Sequence, residues 1–428
     1  MKIWQRKKTQ TESRYYFCGI MIYSRRRVGW FRETTILGIR FKKNLKTKKI
    51  IKTEQRISKR AKIYDASGDE KNILCFDCLS HPYAEAIDAW SLFQYLKKMG
   101  KPVFYVILKK NALYDKLLKK GQLDGIIGIN SEEELILQYG DIIRKTNIVF
   151  CSYGYAKSDL FSKLSTLKYV FIEHGVTLLK KIAMDMYYDK EKGLFDYMLT
   201  PTKLTLSMYE QYNVMHGRRI CTGMPRWDNL LKNAPHETKN VFLFFTWRYS
   251  FLHNVSTKQP YFKRLQVFID SLVRLVEKKT DIKVFIGVHH MIYSLKSSAE
   301  PVFKGVELVD TAGISEMIKK ADLFITDYSS VCFDLMYSDV PVIFYRHDAD
   351  VVYADQRDND ALISAKDSDS SLYNIFYDVE STLQQVKYYI EHDFELEKDK
   401  KEINKNIFWE KGNNCQNLIN IIEQEDFR

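Results

Sequence analysis

The sequence has no apolar run long enough to cross a bilayer. None of its hydrophobic stretches approaches the roughly 18 residues that a membrane-spanning helix needs. Its amino terminus also lacks the order of a short basic region, a long apolar region and small residues that marks a secretory signal. We therefore expect a globular, cytoplasmic chain.

Cysteine is sparse, and its spacing is irregular. The seven cysteines lie at positions 18, 75, 78, 151, 221, 332 and 415, without the paired spacings of a disulfide framework. Cys75 and Cys78 are close, but they lie in an apolar run that predicts a strand, and no second pair completes four zinc ligands. We expect reduced thiols and interpret this pair as part of the core.

Two common phosphate-handling motifs are also missing. The sequence contains no Gly-x-x-x-x-Gly-Lys-Ser/Thr loop, and no Asp-x-Asp pair stands out as a required divalent-cation site. The first absence argues against P-loop chemistry. No cofactor is required by the sequence, although magnesium is compatible with it.

Acidic residues are scarce at one end of the chain. Residues 1–62 contain 20 lysines and arginines but three acidic residues, a balance of +17, whereas residues 63–428 contain 46 against 51. A basic segment on a mildly acidic body is more typical of contact with an anionic membrane surface than of nucleic-acid binding. We expect the first kind of partner and no nucleic acid.

The basic segment contains a weak internal repeat. YYFCGIMIY (15–23) and TTILGIRFK (34–42) each place Gly-Ile between apolar or β-branched residues. The alternation predicts two short strands in a small hairpin, which either rests on lipid headgroups or packs on the main body. Residues 43–70 are interpreted as a linker or a surface helix.

From residue 72 onward, short apolar runs alternate with helical stretches, a pattern typical of parallel sheets covered on both faces. The first series predicts strands at 73–79, 102–109, 124–129, 147–151, 168–173 and 196–200, with helices at 83–99 and 131–145. The second predicts strands at 241–247, 282–288, 306–310, 322–326 and 341–345, and then helices within 379–424, of which the last would ordinarily return to the first domain. We predict an α/β protein with a basic extension (1–70) and two doubly wound Rossmann-type domains, 71–235 and 236–428.

The strongest functional pattern lies at residues 321–345, ADLFITDYSSVCFDLMYSDVPVIFY. A buried strand ends in Thr326-Asp327-Tyr328-Ser329-Ser330, and a helix follows. Free backbone N–H groups and the helix dipole attract anions at such a position, and the two serine hydroxyls add donors. Ordinary N-capping accounts for one polar residue there, not four. The segment predicts a phosphate site at the carboxyl end of a parallel strand.

Several segments, taken in order, resemble the CDP-glycerol glycerophosphotransferase family. They are HGVTLLKK (174–181), TGMPRWDNL (222–230), FFTWR (244–248), a strand ending in His289, and SEMIKKADLFITDYSSVCFDLMYSDVPVIFY (315–345). The resemblance implies a GT-B fold, in which two Rossmann-type domains face a cleft. It also implies a CDP-activated polyol phosphate donor and peripheral attachment to the inner face of the membrane.

Two histidines carry the chemistry that the resemblance implies. His174 follows an apolar strand, and the family's candidate general base is the histidine of a His-Gly pair. Such a base contributes typically 10²–10⁴-fold to rate, and Glu173 beside it would orient the ring. His289 resembles a second important histidine that contacts the donor diphosphate. The family commonly carries a basic residue two positions earlier and proline after it; here Gly287 and His290 stand there, so His289 and His290 are both candidates.

The resemblance also extends to two arginines, and two aspartates lie near the predicted phosphate site. Arg226 and Arg248 would bind donor phosphates, because a guanidinium group matches phosphate oxygens bidentately. Arg226 has the alternative of pairing with Asp228 at the domain hinge. Asp334 is predicted to bind polyol or ribose hydroxyls, and Asp327 to cap the following helix. The predicted donor-binding set is therefore Arg226, Arg248, Thr326, Asp327, Ser329, Ser330 and Asp334.

The predicted reaction is the transfer of a polyol phosphate to an acceptor hydroxyl with release of CMP. Glycerol phosphate is the expected cargo, with ribitol phosphate as the other candidate. The acceptor would be a saccharide or a lipid-linked molecule in teichoic-acid, capsule or lipopolysaccharide synthesis. The alternatives are a GT-B glycosyltransferase that uses a UDP- or GDP-sugar and a non-catalytic basic protein that binds membrane or nucleic acid.

Overall fold

The structure is a computed structural model that describes 21 stretches of the chain. They are residues 4–8, 12–17, 20–28, 31–36, 39–44, 50–53, 55, 57, 71–77, 79, 87–152, 167–176, 178, 195–211, 217–231, 237–246, 248, 258–288, 303–309, 313–349 and 373–424. The chain divides into two compact units, one of residues 1–69 with 131–145 and the other of residues 70–130 with 146–428.

The amino-terminal segment forms a five-stranded antiparallel sheet. Its strands pair in chain order: β1 (Trp4–Lys8), β2 (Glu12–Phe17), β3 (Ile20–Val28), β4 (Phe31–Ile36) and β5 (Ile39–Asn44). Residues 50–53 are helical, which agrees with the surface-helix interpretation of that part of 43–70.

Each Gly-Ile repeat joins two strands instead of forming one. Phe17 pairs with Ile20, and Ile36 pairs with Ile39, so two residues lie between the strands in each case. Two-residue hairpin loops favour glycine because its backbone tolerates positive φ. The prediction of a single small hairpin is therefore wrong, and the segment is a five-stranded meander.

The second unit contains a seven-stranded parallel sheet. The strands are β6 (Asn72–Phe76), β7 (Val103–Leu108), β8 (Ile126–Ile129), β9 (Thr146–Cys151), β10 (Lys168–Phe171), β11 (Tyr197–Thr200) and β12 (Arg218–Cys221). Their order is β12-β11-β10-β9-β6-β7-β8. The six predicted strands are confirmed, and β12 was missed because its sequence, RRIC, is short and half basic.

The helices of this part of the chain are α1 (Asp88–Lys98), α2 (Ala112–Lys119), α3 (Glu132–Gln138), α4 (Gly140–Arg144) and α5 (Lys203–Gln211), with α3 and α4 in the first unit. The predicted helix at 131–145 is divided in two at Tyr139. The start of α1 is capped from β6: Asp77 accepts hydrogen bonds from the N–H groups of Ala89 at 3.1 Å and Trp90 at 3.2 Å.

A six-stranded parallel sheet completes the second unit. Its strands are β13 (Lys239–Phe245), β14 (Ile282–Val288), β15 (Glu307–Val309), β16 (Leu323–Thr326), β17 (Val342–Tyr345) and β18 (Asn374–Phe376). Their order is β15-β14-β13-β16-β17-β18. Its helices are α6 (Lys258–Val276), α7 (Ile314–Lys320), α8 (Cys332–Tyr337), α9 (Val379–Glu391), α10 (Lys398–Ile407) and α11 (Asn414–Gln424). All five predicted strands are present, and β18 is additional.

The last helix, α11, returns to the seven-stranded sheet, as expected. Lys101 forms an ion pair of 3.1 Å with Glu423, and Lys168 Nζ donates to the carbonyl oxygen of Ile422 at 3.4 Å. The 3₁₀ helix Pro225–Asn229, which lies between the two sheets in the chain, holds the start of α11 through Asp228. Within the described stretches, no helix is both long and apolar enough to span a bilayer.

We expect Asp228→Ala to detach the start of α11. The Asp228 carboxylate accepts from the N–H groups of Asn414 at 2.7 Å and Cys415 at 2.9 Å, so its loss leaves two helix donors without partners. The expected fall in the free energy of unfolding is about 2 kcal/mol, measured by urea denaturation. Asp281→Ala, at an exposed position, is the control, and an equal loss in both variants would contradict the capping role.

Candidate active site

Two turns from the two parallel sheets approach each other closely. His174-Gly175 follows β10, and Ser329-Ser330 follows β16. A Cβ atom placed on Gly175 would lie 2.8 Å from the Oγ of Ser330, closer than such atoms pack. A larger residue would therefore require the Ser330 side chain to shift, and the predicted base lies beside the predicted phosphate-binding turn.

The His174 turn is built on a buried, strained residue. Glu173 is 1% exposed and has a positive φ of 58°, which is uncommon for any residue other than glycine. Its Oε1 accepts a hydrogen bond from the Tyr209 hydroxyl at 3.4 Å, and its Oε2 lies 3.9 Å from the Nδ1 of His174. His174 itself is 38% exposed. This geometry agrees with the predicted orienting role of Glu173, which stays a prediction.

The turn after β16 is closed by its own polar side chains. The Thr326 hydroxyl donates to the carbonyl oxygen of Phe244 at 2.6 Å. Asp327 accepts from the N–H groups of Thr246 at 2.9 Å and Tyr328 at 2.6 Å. Thr326 and Asp327 are both fully buried. Thr326 and Asp327 thus connect the carboxyl ends of β13 and β16. Contact of these two residues with the donor stays a prediction.

The two serines differ in position. Ser329 is buried, and its Oγ accepts from the N–H of Val331 at 3.3 Å, so it caps the first turn before α8. Ser330 is partly exposed and faces Gly175. Both lie where the strand order of the six-stranded sheet reverses, between β13 and β16. Ligands of open α/β sheets bind in the crevice at such a point.

Arg248 is buried in a network of acidic residues. Its guanidinium group forms two bonds of 2.8 Å with Asp348 and an ion pair of 2.7 Å with Asp327, and it donates to the carbonyl oxygen of Thr246 at 2.8 Å. Burial would raise the pKa of Asp327, but Arg248 and the two N–H groups outweigh it and hold that pKa below its usual range. These contacts favour a role in joining the ends of β13, β16 and β17. Direct phosphate binding by Arg248 stays a prediction.

Arg226 joins acidic residues from both parallel sheets. Its Nε and Nη2 donate to Asp334 of α8 at 2.8 Å and 3.1 Å, and its Nη1 donates to Asp88 of α1. The Trp227 indole N–H also donates to Asp334. The alternative pairing of Arg226 with Asp228 is therefore wrong, since Asp228 is occupied by α11. Binding of phosphate by Arg226 and of hydroxyls by Asp334 stay predictions.

The predicted second histidine, His289 or His290, lies outside the described residues. Gly287, two positions before His289, is inside β14, and a Cβ atom there would lie 2.8 Å from Cδ2 of Phe244. The tight packing explains why a long basic side chain is not accommodated here. No group of three or more potential metal ligands occurs among the residues that the structure describes.

Sequence reasoning missed Asp88 and Asp348. Asp348 follows β17 by three residues and could have been found, because polar residues just beyond buried parallel strands point into the same crevice. Asp88 opens α1, and nothing in its surroundings in the sequence distinguishes it from an ordinary first-turn aspartate.

Residues 69–424 match the family of CDP-Glycerol:Poly(glycerophosphate) glycerophosphotransferase. The chain belongs to this family. The amino-terminal sheet lies outside the matched residues, so the glycerophosphotransferase family accounts for the two parallel sheets and the helices that follow them.

The curated relatives of this family match only part of the chain. The minor teichoic acid biosynthesis protein GgaB of Bacillus subtilis (strain 168) is 26% identical over 280 residues, which are 61% of this chain and 30% of that protein. The teichoic acid glycerol-phosphate transferase of Staphylococcus aureus (strain NCTC 8325 / PS 47) is 25% identical over 281 residues, 56% of this chain and 70% of that protein. The matched part thus spans less than a third of the first relative.

A solved structure resembles the fold over most of the chain. The wall teichoic acid polymerase TagF has a TM-score of 0.58 at 18% identity, covering 88% of this chain and 96% of that one. A variant of the same polymerase, soaked with CDPG, has a TM-score of 0.57. The predicted GT-B-like α/β fold is confirmed.

We expect Arg248→Met to destabilise the protein strongly. The change leaves Asp327 and Asp348 buried without their cation, a loss of about 3–5 kcal/mol in the free energy of unfolding. Urea denaturation at neutral pH measures it. In the wild type, the depressed pKa of Asp327 contributes stability that is lost as pH falls through that pKa, so the deficit of the variant should shrink in acid.

Arg274→Met, at an exposed position on α6, removes the same charge without burying an acid and serves as the control. Unchanged stability of Arg248→Met would contradict the network role and favour direct ligand binding by this arginine.

Proposed function

We propose that this protein transfers glycerol phosphate from CDP-glycerol to a hydroxyl group of an acceptor and releases CMP. The observation that carries the proposal is the approach of Gly175 to Ser330 at the switch point of the six-stranded sheet. It puts a partly exposed histidine beside a turn suited to phosphate. Family membership supports the donor class, as does the CDPG used with the related polymerase.

The reaction requires one proton transfer and one displacement at phosphorus. His174 accepts the proton of the acceptor hydroxyl, and the oxygen attacks the phosphorus that carries glycerol. A new phosphorus–oxygen bond forms, and the bond between that phosphorus and the oxygen bridging to the CMP phosphate breaks. CMP leaves with the bonding electrons as a phosphate monoester. Because Glu173 lies on the Nδ1 side of the ring, Nε2 is the nitrogen that we assign to the proton.

The donor phosphates are assigned to the turn that follows β16. The Ser330 hydroxyl and the backbone N–H groups near Ser329 donate to the diphosphate, and one of the two histidines after β14 stabilises its charge. Such preorganised donors commonly supply a large part of the rate in phosphoryl transfer. Arg226 and Arg248 hold this turn in position through Asp334 and Asp327.

The relatives support the choice of cargo, and the acceptor is proposed from the sequence resemblance. Glycerol phosphate is preferred over ribitol phosphate because the S. aureus relative is named for glycerol phosphate. The acceptor is a saccharide or lipid-linked hydroxyl, and the product is a cell-surface polymer. Teichoic acid is the first choice, with capsule and lipopolysaccharide as the other candidates.

We expect His174→Ala to reduce CMP release from CDP-glycerol by about 10²–10⁴-fold, because the acceptor hydroxyl loses its base. The assay separates CMP from CDP-glycerol in the presence of a lipid-linked saccharide acceptor. CDP-ribitol and a UDP-sugar serve as competing donors, and release of UDP would instead support a sugar transferase.

His392→Ala is the matched control, since His392 lies exposed just after α9 and its ring bonds the carbonyl oxygen of Tyr388 in that helix. Equal turnover of His174→Ala and wild type would contradict the assignment of the base.

We also propose that the amino-terminal sheet binds an anionic membrane surface. Residues 1–62 carry a balance of +17, and they include all five strands of the antiparallel sheet. Lysine and arginine near an anionic bilayer contribute about 1 kcal/mol each. A lipid-linked acceptor would then be presented at the surface where the enzyme is bound, on the cytoplasmic side.

We expect replacement of Arg25, Arg26 and Arg27 by glutamine to weaken binding to phosphatidylglycerol vesicles by about 10²-fold, from about 1 kcal/mol per charge. Cosedimentation at low salt measures it. The control replaces Lys116, Lys119 and Lys120, three exposed lysines near α2, by glutamine. Equal weakening in both variants would contradict a specific role of the sheet and would mean that binding depends only on the net charge of the protein.

A further inference from the structure

A chain of buried charges connects the two parallel sheets behind the candidate active site. Asp88 opens α1, which packs on the seven-stranded sheet, and Asp334 lies in α8, four residues after Ser330. Arg226, in the 3₁₀ helix between the sheets in the chain, donates to both carboxylates. Asp88 and Asp334 are 1% and 2% exposed.

We propose that Asp88 is a positioning residue, which acts through Arg226 and Asp334 to hold the Ser329-Ser330 turn at the distance from His174 that transfer requires. The inference rests on the proposed function and adds a residue to it. Asp88 touches neither the predicted base nor the predicted phosphate-binding turn. Its effect passes through the guanidinium group that it shares with Asp334.

The geometry favours positioning over simple helix capping. The start of α1 is already capped by Asp77, which accepts from the N–H groups of Ala89 and Trp90. Asp88 instead turns to Arg226, where it accepts from Nη1 and, at 3.4 Å, from the backbone N–H. It thereby ties the first helix of one sheet to the segment that leads into the other.

Arg226 holds the Ser329-Ser330 turn in place through α8, the helix that follows the turn. Its Nε and Nη2 hold the two Asp334 oxygens, and the Trp227 indole N–H holds one of them as well. Trp227 is fully buried and stacks on Tyr337 of α8 with ring centroids 4.6 Å apart. Arg226 and Trp227 therefore both bind α8. The carbonyl oxygens of Ser329 and Ser330 accept hydrogen bonds from the first two residues of this helix.

The charges around Asp88 make its contribution dependent on pH. Among the described residues, Arg226 faces it from the 3₁₀ helix, Asp77 from the end of β6 and Asp334 from α8, with Tyr105 of β7 and Cys415 of α11 beyond them. Burial raises the pKa of Asp88 to about 7, because Asp77 and Asp334 add to the effect and Arg226 only partly offsets it. Asp88 therefore gains its charge near neutral pH.

The test compares wild type with Asp88→Asn, which keeps the shape of the side chain and removes its charge. Loss of alignment by an ångström can cost about 10²-fold in rate. We expect kcat for CMP release to fall by about 10–100-fold near pH 8, where Asp88 is charged in the wild type. Near pH 5.5 the wild-type Asp88 is protonated and therefore matches asparagine in both shape and charge, so kcat should fall by less than about 3-fold. KM for CDP-glycerol should stay within about 2-fold, because the donor turn itself is intact.

Asp115→Asn is the matched control, since Asp115 lies exposed in the first turn of α2. It should leave kcat unchanged at both pH values. A ratio of wild-type to Asp88→Asn kcat that does not change between the two pH values would overturn the proposal, as would a change confined to KM.

A readout without catalysis separates this proposal from the proposed function. In the wild type, a raised folded-state pKa means that the folded protein binds more protons than the unfolded chain between about pH 4 and 7. Stability from this group is therefore lost as pH rises, and Asp88→Asn should not show that loss. Hydrogen exchange near pH 8 should be faster in α8 of the variant than in wild type.

If wild type releases no CMP while these two differences appear, the proposed function fails and the positioning of α8 by Asp88 stands. The opposite result is that CMP is released, the pH dependence of stability and the hydrogen exchange of α8 are the same in both proteins, and the ratio of their kcat values does not change with pH. The positioning role of Asp88 then fails, and the proposed function stands.

Discussion

The candidate active site depends on the cost of burying a guanidinium group. A buried arginine must be matched by carboxylates and by an acceptor for each of its N–H groups, because an unpaired charge in a core is strongly destabilising. Arg248 and Arg226 are both matched in this way. Each arginine therefore holds together the strands or helices on which its partner carboxylates lie.

The two networks act on the same turn from different directions. Arg248 joins Asp327 and Asp348, and so holds together the strand ends of one sheet. Arg226 reaches α8 through Asp334 from outside that sheet. Together they hold both the strand end before Ser329-Ser330 and α8, which follows these serines. A site that binds diphosphate benefits from this rigidity, because donors held in place cost little reorganisation during reaction.

The opposing turn is built differently. Glu173 adopts an unfavourable backbone conformation, and Gly175 permits a close approach to Ser330 that a side chain would disturb. Strain of this kind persists only where the surrounding structure imposes it, and it is often found at functional sites. Here it sets His174 at the edge of a buried strand with its ring partly exposed.

Much of this arrangement was available from the amino-acid sequence. Alternating apolar and helical stretches predicted the two parallel sheets because a strand buried on both faces must be apolar throughout. The polar cluster after β16 predicted a phosphate site from its own residues, whereas the predicted role of the His-Gly pair after β10 came from the resemblance to the glycerophosphotransferase family. The Gly-Ile repeat was misread, since the same alternation suits a strand or the two sides of a hairpin, and only pairing distinguishes them.

The tertiary structure alone decided which charged groups meet. Asp88 and Asp334 are 246 positions apart in the chain, and no local pattern indicates that one arginine lies between them. The sequence by itself determined the elements, and it predicted the phosphate-binding turn and the base, because those depend on residues close together in the chain. The partners of Arg226 and Arg248 depend on how sheets and helices pack, and ion pairing between distant segments has no sequence period to reveal it.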